Sequence, residues 1–401
     1  AYHWAAAALP DSEIVDPLAP ALAAQSNLGA KDSLPVGTTT GLSAAGASDM
    51  FGNVAEWVWT AGRPDQRFVL GSGWSDPEYQ APQVAVASPW SRRPTQGFRL
   101  ATYTEGEPAA SLLASVKVPD IDHRGLTPLS DDAVAMLRQL AEYSPAPLKP
   151  TREPLELPNG TTIERVEVDS PYNGERLPIL LLKPEGVEPP YPTLVWFGGL
   201  NAVMTEDNST LYAADMAFAS FLRQSGRLVV MTIWSHTFES NDGTTRARFL
   251  QDPVAQSEII RTWARDLKRT VDNLEQSDEV DTDRMAFVGL SLGAAIGGTI
   301  IGYESRLKTA VLWSGGFAAS AFPENAVTSV SLTRRTTLPI LMLNGRHDFV
   351  FPYEPHQRAF FDLLGTPEEH KRHVVWDAGH FGWPLGEFVR ENLDWLDRYL
   401  G

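Results

Sequence analysis

From about residue 151 onward, the apolar positions switch repeatedly between a strand period and a helix period. The runs "IERVEV", "RLPILLLKP" and "PTLVWFGG" give way to a helical stretch near 210 to 224 and then to "RLVVMTIW". Next, "DPVAQSEIIRTWARDLKRTVDNLEQ" sets Ile260, Trp263, Leu267, Val271 and Leu274 three and four positions apart behind the start signals Asp252 and Pro253, which predicts an amphipathic helix. The alternation continues through "RMAFVG", a helix from 292, "KTAVLWSGG", "LPILMLNG", a helix near 353 to 364, "RHVVWDAG" and a last helix over "GEFVRENLDWLDRYL". Strands and helices in this order predict a doubly wound, mostly parallel α/β sheet over 151–401.

The front of the chain has no such rhythm. Residues 1 to about 103 are rich in Ala, Gly, Trp and Pro, hold short apolar pieces such as "RFVLGSGW", and read as a smaller loop-rich domain. A connector over 104–150 follows, with "EGEPAAS", a helix at "SDDAVAMLRQLAEY", and the prolines of "SPAPLKPTREP" as boundary. The opening "AYHWAAAALP" reads as helical and has no initiator Met, so the chain is expected to be cut from a longer one, and the compartment stays open.

Composition narrows the partners. Of 401 residues, 43% are hydrophobic, enough for a buried core. No apolar stretch reaches the ~18 residues of a membrane span, so no membrane insertion is expected. Fifty acidic against 33 basic residues give a net charge of −17, which argues against nucleic acid, whose binding rests on phosphate neutralisation. With no cysteine, disulfides, thiolate metal sites and a cysteine nucleophile are excluded.

The candidate chemistry centres on "MAFVGLSLGAAIGG". A Gly-x-Ser-x-Gly match is weak alone, but Ser291 stands between a strand and a helix of small residues, the setting of a nucleophile on a sharp turn. Gly289 and Gly293 have a steric reason to be glycine, because strand and helix backbones nearly touch there. A serine needs a base and an orienting acid. Asp348 follows the strand "LPILMLNG" and His380 follows "RHVVWDAG", both beyond strand ends where ligands bind in open α/β sheets. In this reading His380 takes the proton of Ser291 and Asp348 fixes its tautomer, with Asp377 the nearest substitute acid. The oxyanion donors are expected to be the N–H of Leu292 and that of Gly199 or Leu200, in "GGLNA". Trp196, Phe197, Asn201, Trp234, His236, Phe381 and Trp383 are candidate pocket residues, and the histidines show no metal spacing.

On these motifs, 151–401 resembles an α/β-hydrolase of the dienelactone hydrolase and acetyl xylan esterase type. "GLSLG", "LNGRHDFVFP", "DAGH" and "LDWLDRYLG" stand in the expected order, with one departure: "WFGGLN", where many relatives place His-Gly or Pro-Gly. The resemblance implies a cofactor-independent serine carboxylesterase acting on small acyl or phenolic esters. A peptidase or amidase on the same triad, and a non-enzymatic binding or sensor module, are the alternatives.

"DMFGNVAEWVW", "VLGSGW" and "GFRLA" make the first hundred residues resemble the later part of the formylglycine-generating enzyme fold, without its cysteines. That resemblance implies a calcium ion at Asp49, Glu56 and the backbone oxygens of Gly52 and Val54. It also implies a domain that covers the hydrolase mouth or packs as a scaffold. Together the halves resemble the tail of bacterial multidomain serine/threonine kinases. No kinase motif is present, and the expected partner is a small-molecule ester, with a homo-oligomer possible.

Overall fold

The computed structural model describes residues 24–43, 46–59, 67–76, 85–87, 89–100, 102, 106, 110, 114, 121–158, 160–209, 211–318, 322–348 and 350–401. The helical opening predicted at 1–10 and the "EGEPAAS" stretch apart from Gly106 and Ala110 lie outside them. The chain forms two compact units, Ala1–Asp120 with His347–Val350, and Ile121–Arg346 with Phe351–Gly401.

Among its described residues the first unit holds four short strands, β1 (Ala55–Trp57), β2 (Arg67–Leu70), β3 (Ala85–Ala87) and β4 (Gln96–Phe98), in the order β3-β2-β1-β4. Its buried cluster is small, Ala55, Val69 and Ala87 with Trp57 against them. Loops provide much of the framework. Gly71 has φ +90°, and a Cβ there would lie 2.6 Å from the Met50 carbonyl oxygen, so this turn requires glycine.

The second unit opens with α1 (Asp131–Leu140), whose N-terminal Ser130 side chain accepts the Ala133 N–H. This is the helix predicted in the connector. Leu129 N–H donates to Ser331 Oγ, and Arg335 bonds both Asp131 and the Leu129 carbonyl, which ties the segment into the second unit. Then come β5 (Thr151–Glu156), β6 (Thr162–Asp169), β7 (Arg176–Leu182), β8 (Tyr191–Phe197), α2 (Asn201–Met204), a π-turn (Leu211–Asp215), α3 (Met216–Gln224), β9 (Leu228–Thr232), α4 (Thr245–Gln251) and α5 (Pro253–Leu274). The remainder runs β10 (Val280–Leu290), α6 (Leu292–Ile300), β11 (Thr309–Trp313), α7 (Pro323–Thr333), β12 (Ile340–Gly345), α8 (Arg358–Leu363), β13 (Lys371–Trp376) and α9 (Leu385–Leu400).

The nine strands lie in the order β13-β12-β11-β10-β8-β9-β7-β6-β5. From β13 to β9 neighbours pair in parallel, whereas β7, β6 and β5 add an antiparallel edge. Strand β5 was not foreseen, because Pro154 and its polar neighbours read as linker. Proline is tolerated there since, among the described residues, β5 is the last strand of the sheet.

Alternation along the strands divides the core in two. Val195 and Phe197 of β8 face one side and join α5, α6 and α8, while Leu194 and Trp196 face the other and join α3 and α9. The predicted amphipathic helix is α5, and its start is as read: Asp252 accepts the Val254 and Ala255 N–H groups at 2.9 and 3.0 Å, with Pro253 at the first helical position. Trp263, Leu267 and Val271 of α5 are completely buried. Burial of this kind contributes ~1.5–3 kcal/mol per side chain, so α5 is held mainly by its apolar stripe.

Candidate active site

Strand order decides where chemistry can gather. The chain runs from β8 outward to β9 on one side and from β10 outward to β13 on the other, so the reversal lies between β8 and β10. In an open α/β sheet the crevice at that reversal, beyond the strands' carboxyl ends, is the binding position. Gly289 pairs with Phe197 across β10 and β8, which brings the turn Leu290–Leu292 beside the turn Gly198–Leu200.

Ser291 sits at the apex of the first turn with φ +54° and ψ −105°. A non-glycine residue held there is strained, and surrounding structure must hold it. The reason is steric and local. A Cβ on Gly289 would lie 2.5 Å from the Gly293 carbonyl oxygen, and one on Gly293 would lie 2.1 Å from the Phe197 carbonyl oxygen. Strand, turn and helix thus pack backbone to backbone. Ser291 N–H donates to the Trp313 carbonyl (2.8 Å) and Gly293 N–H to the Gly198 carbonyl (3.0 Å), pinning the turn to both flanks.

Ser291 Oγ lies 2.9 Å from His380 Nε2, and the two residues are 6% and 3% exposed. A serine and an imidazole nitrogen at hydrogen-bond distance can exchange a proton. The His380 loop is itself held from below. Ser314 Oγ donates to the His380 carbonyl at 2.5 Å, and a Cβ on Gly345 would come within 2.0 Å of the Gly379 carbonyl oxygen. Neither Ser314, which has φ +48° just beyond β11, nor Gly345 was singled out from sequence.

Asp348 lies three residues past the end of β12, completely buried, with Oδ1 accepting the Val350 N–H at 2.8 Å. It falls in the segment His347–Val350 that groups with the first unit. Asp377, the substitute acid, is exposed.

A residue that sequence reading missed lies against the turn expected to hold the second oxyanion donor. Asp215, 2% exposed at the end of the π-turn, accepts the Trp196 Nε1–H at 3.1 Å and the Gly199 backbone N–H. The Gly199 N–H lies beside this carboxylate, and Leu200 is the other backbone donor of the expected pair. A Cβ added to Gly199 would still lie only 3.8 Å from Ser291 Cβ, so the turn does flank the serine. Leu292 is the first residue of α6, directly after Ser291.

Three expected pocket residues are core residues instead. Trp196 is 1% exposed and packs edge-on against Trp313. Phe197 and Trp234 stack at 4.5 Å, with Trp263 against the other edge of Phe197. Strand alternation turns Trp196 and Phe197 into opposite layers of the sheet, a consequence that composition alone does not show. Phe381 and Trp383 remain half-buried. The Phe381 ring meets His380 at 4.6 Å, Trp383 at 5.8 Å and Phe218 at 5.9 Å. Asn201 begins α2 and its carbonyl accepts the Thr205 N–H. His236, half-buried with φ +66°, lies near Arg248, Asp242 and Glu175, and burial followed by Arg248 pushes its pKa down.

The residues that the resemblance offered to calcium do not fit a cation. Asp49 accepts the Gly37 N–H at 2.6 Å and the Thr39 hydroxyl at 2.5 Å, and Glu56 is paired with Arg99 at 2.8 Å. Both carboxylates are satisfied by protein donors, one of them a cation, and no His/Asp/Glu cluster suited to a metal occurs among the described residues. No helix among the described residues is long and apolar enough to cross a membrane.

Comparison with known proteins agrees with the fold. An acetyl xylan esterase from Paenibacillus sp. R4 is similar at TM-score 0.50 and 20% identity, covering 69% of this chain and 96% of that one. Acetyl xylan esterase 1 from Thermoanaerobacterium sp. JW/SL YS485 is similar at TM-score 0.52 and 18% identity, with the same coverage of 69% and 96%. No curated protein shows significant sequence similarity to the chain. Residues 216–380 match the model of the Dienelactone hydrolase family, and the second unit has the α/β-hydrolase fold.

Proposed function

We propose that the protein is a serine carboxylesterase that forms an acyl-enzyme on Ser291 and needs no cofactor. The observation that carries this reading is the 2.9 Å approach of Ser291 Oγ to His380 Nε2 on a strained turn at the sheet's reversal point. His380 takes the serine proton as Oγ attacks the ester carbonyl carbon, then delivers it to the leaving alkoxide. Water, deprotonated by the same imidazole, releases the acid in the second half of the cycle. The N–H groups of Leu292 and Leu200 receive the oxyanion of each tetrahedral intermediate.

Asp348 is assigned the orienting acid. Strands β12 and β13 are neighbours, with Gly345 paired to Trp376, and the chain reaches Asp348 and His380 shortly beyond those two ends. The burial of Asp348 against the exposure of Asp377 supports this choice.

Phe381, Trp383 and Phe218 form a partly exposed aromatic row beginning at the His380 ring, which favours phenolic or other apolar esters. The first unit, with its small sheet and no cysteine, is read as a formylglycine-generating-enzyme-like domain without that chemistry. Hydrolysis of p-nitrophenyl acetate and butyrate near pH 8 tests the proposal. Ser291→Ala is expected to lose roughly 10⁴-fold or more in kcat. Equal rates for the folded variant and the wild type would refute it.

A further inference from the structure

The proposed mechanism leaves one buried acid beside the site without a task. Asp215 stands under the turn that follows β8, and two N–H donors, Trp196 Nε1 and the Gly199 backbone, meet its carboxylate. Contact continues at Gly198. A Cβ at that position would lie 2.0 Å from Asp215 Oδ1 and 2.8 Å from Cγ, so the loop lies flat on the carboxylate and no side chain fits between.

Burial pushes this carboxyl up to about 7, and its two donors offset the shift in part. Such a group costs stability that an apolar residue of similar size would not. A stabilising role alone is therefore a weak reason for an acid at this position. The turn it contacts is the one that flanks Ser291, with a Cβ at Gly199 3.8 Å from that of the serine, and Leu200 is its next residue.

We propose that Asp215 is a positioning residue of the hydrolytic reaction: its carboxylate fixes Gly198 and Gly199, and so aims the Leu200 N–H at the oxygen on which charge develops. This inference rests on the serine-esterase reading above. Asp215 neither gives nor takes a proton in the cycle. Its contribution is to hold a donor in place before the reaction, so that no reorganisation is needed as the oxyanion forms.

The experiment compares wild type, Ser291→Ala, Asp215→Asn and Trp196→Phe with p-nitrophenyl acetate at pH 8, each normalised to folded protein by circular dichroism. Asparagine keeps the shape but has one acceptor oxygen where two donors converge. Asp215→Asn is expected to lower kcat by about 10-fold or more with KM within about threefold, since the lost interaction is made in the transition state. Trp196→Phe, which keeps the carboxylate and removes one of its anchors, is expected to lose about threefold.

A second readout separates positioning from simple stability. Inhibition by a phenylboronic acid, whose serine adduct is tetrahedral, should weaken in Asp215→Asn by the same factor as kcat. Inhibition by the product p-nitrophenol should not change. Values of kcat and boronate affinity within twofold of wild type in folded Asp215→Asn would overturn the proposal, and an unchanged kcat in Trp196→Phe would do so if the asparagine variant does not fold. Failure of the esterase reading looks different, because wild type and Ser291→Ala would then be equally active or equally inert.

Discussion

The backbone crowding around Ser291 makes the sharpest mutational prediction. Gly293→Ala adds one methyl group 2.1 Å from the Phe197 carbonyl oxygen and 2.7 Å from its carbon. Ordinary contact begins at 3.4 Å, so helix α6 and strand β8 must part by about 1.3 Å, that is 3.4 − 2.1. Overpacking of this kind costs ~1–3 kcal/mol. Losing the Gly293 N–H bond to the Gly198 carbonyl, 3.0 Å long, adds about 1 kcal/mol. The total, about 2–4 kcal/mol, should appear as a lower urea midpoint followed by tryptophan fluorescence. The same displacement moves the serine against the 198–200 turn, and a shift near 1 Å costs about 10²-fold in rate. Gly386→Ala is the control. It adds the same methyl in α9 with nothing within 4 Å, and should raise stability by ~0.4–1 kcal/mol. If both variants unfold and turn over like wild type, the close-packed turn described here is wrong.

Other consequences can be measured separately. Asp252→Ala removes the side chain that accepts the Val254 and Ala255 N–H groups, and should cost about 1 kcal/mol in urea unfolding with kcat unchanged. Ser314→Ala leaves the buried His380 carbonyl without its hydroxyl donor and should lower kcat severalfold; an unchanged kcat would show that this bond does not hold the imidazole. Asp266 is completely buried with its pKa raised to about 6 by burial, although it accepts from Tyr172 and Ser235. The folded state therefore holds this proton to higher pH than the unfolded chain does, so the group's contribution to stability is full below about pH 4 and declines as pH rises through 6. The difference in urea midpoint between wild type and Asp266→Asn should accordingly shift against wild type from pH 4.5 to 7.5, and a pH-independent difference would contradict the assignment.

The sequence pattern carried most of this architecture because periodicity reports burial directly. Helix α5 was legible to its first residue, since Asp252 and Pro253 are local signals and its apolar stripe faces one core. The Ser291 turn was legible for a similar reason: its glycines answer to contacts that any such turn must make. Strand β5 was not legible, because an edge strand with one neighbour tolerates polar residues and a proline. The pocket assignments of Trp196, Phe197 and Trp234 failed on orientation. Whether an aromatic on a strand, like Trp196 and Phe197, or just past one, like Trp234, faces a core or a cleft depends on register and on which helices cover each face, and neither is local. Asp215 and Ser314 gave no sequence signal at all. One is a lone acid in a run of small residues and the other a serine before two glycines, and both matter through partners far along the chain. The Asp215 carboxylate also accounts for the Gly-Gly departure in "WFGGLN", since it fills the space that a side chain at 198 would need.

The proposed esterase reaction requires Ser291 to be an activated nucleophile. Its most direct test is brief exposure of the protein to a fluorophosphonate, followed by peptide mass spectrometry to locate the adduct. Rapid stoichiometric labelling at Ser291 is expected, slowed by orders of magnitude in folded His380→Ala, because the serine then lacks the base 2.9 Å from its oxygen. Labelling at another residue, or a wild-type protein that stays unmodified, would contradict it.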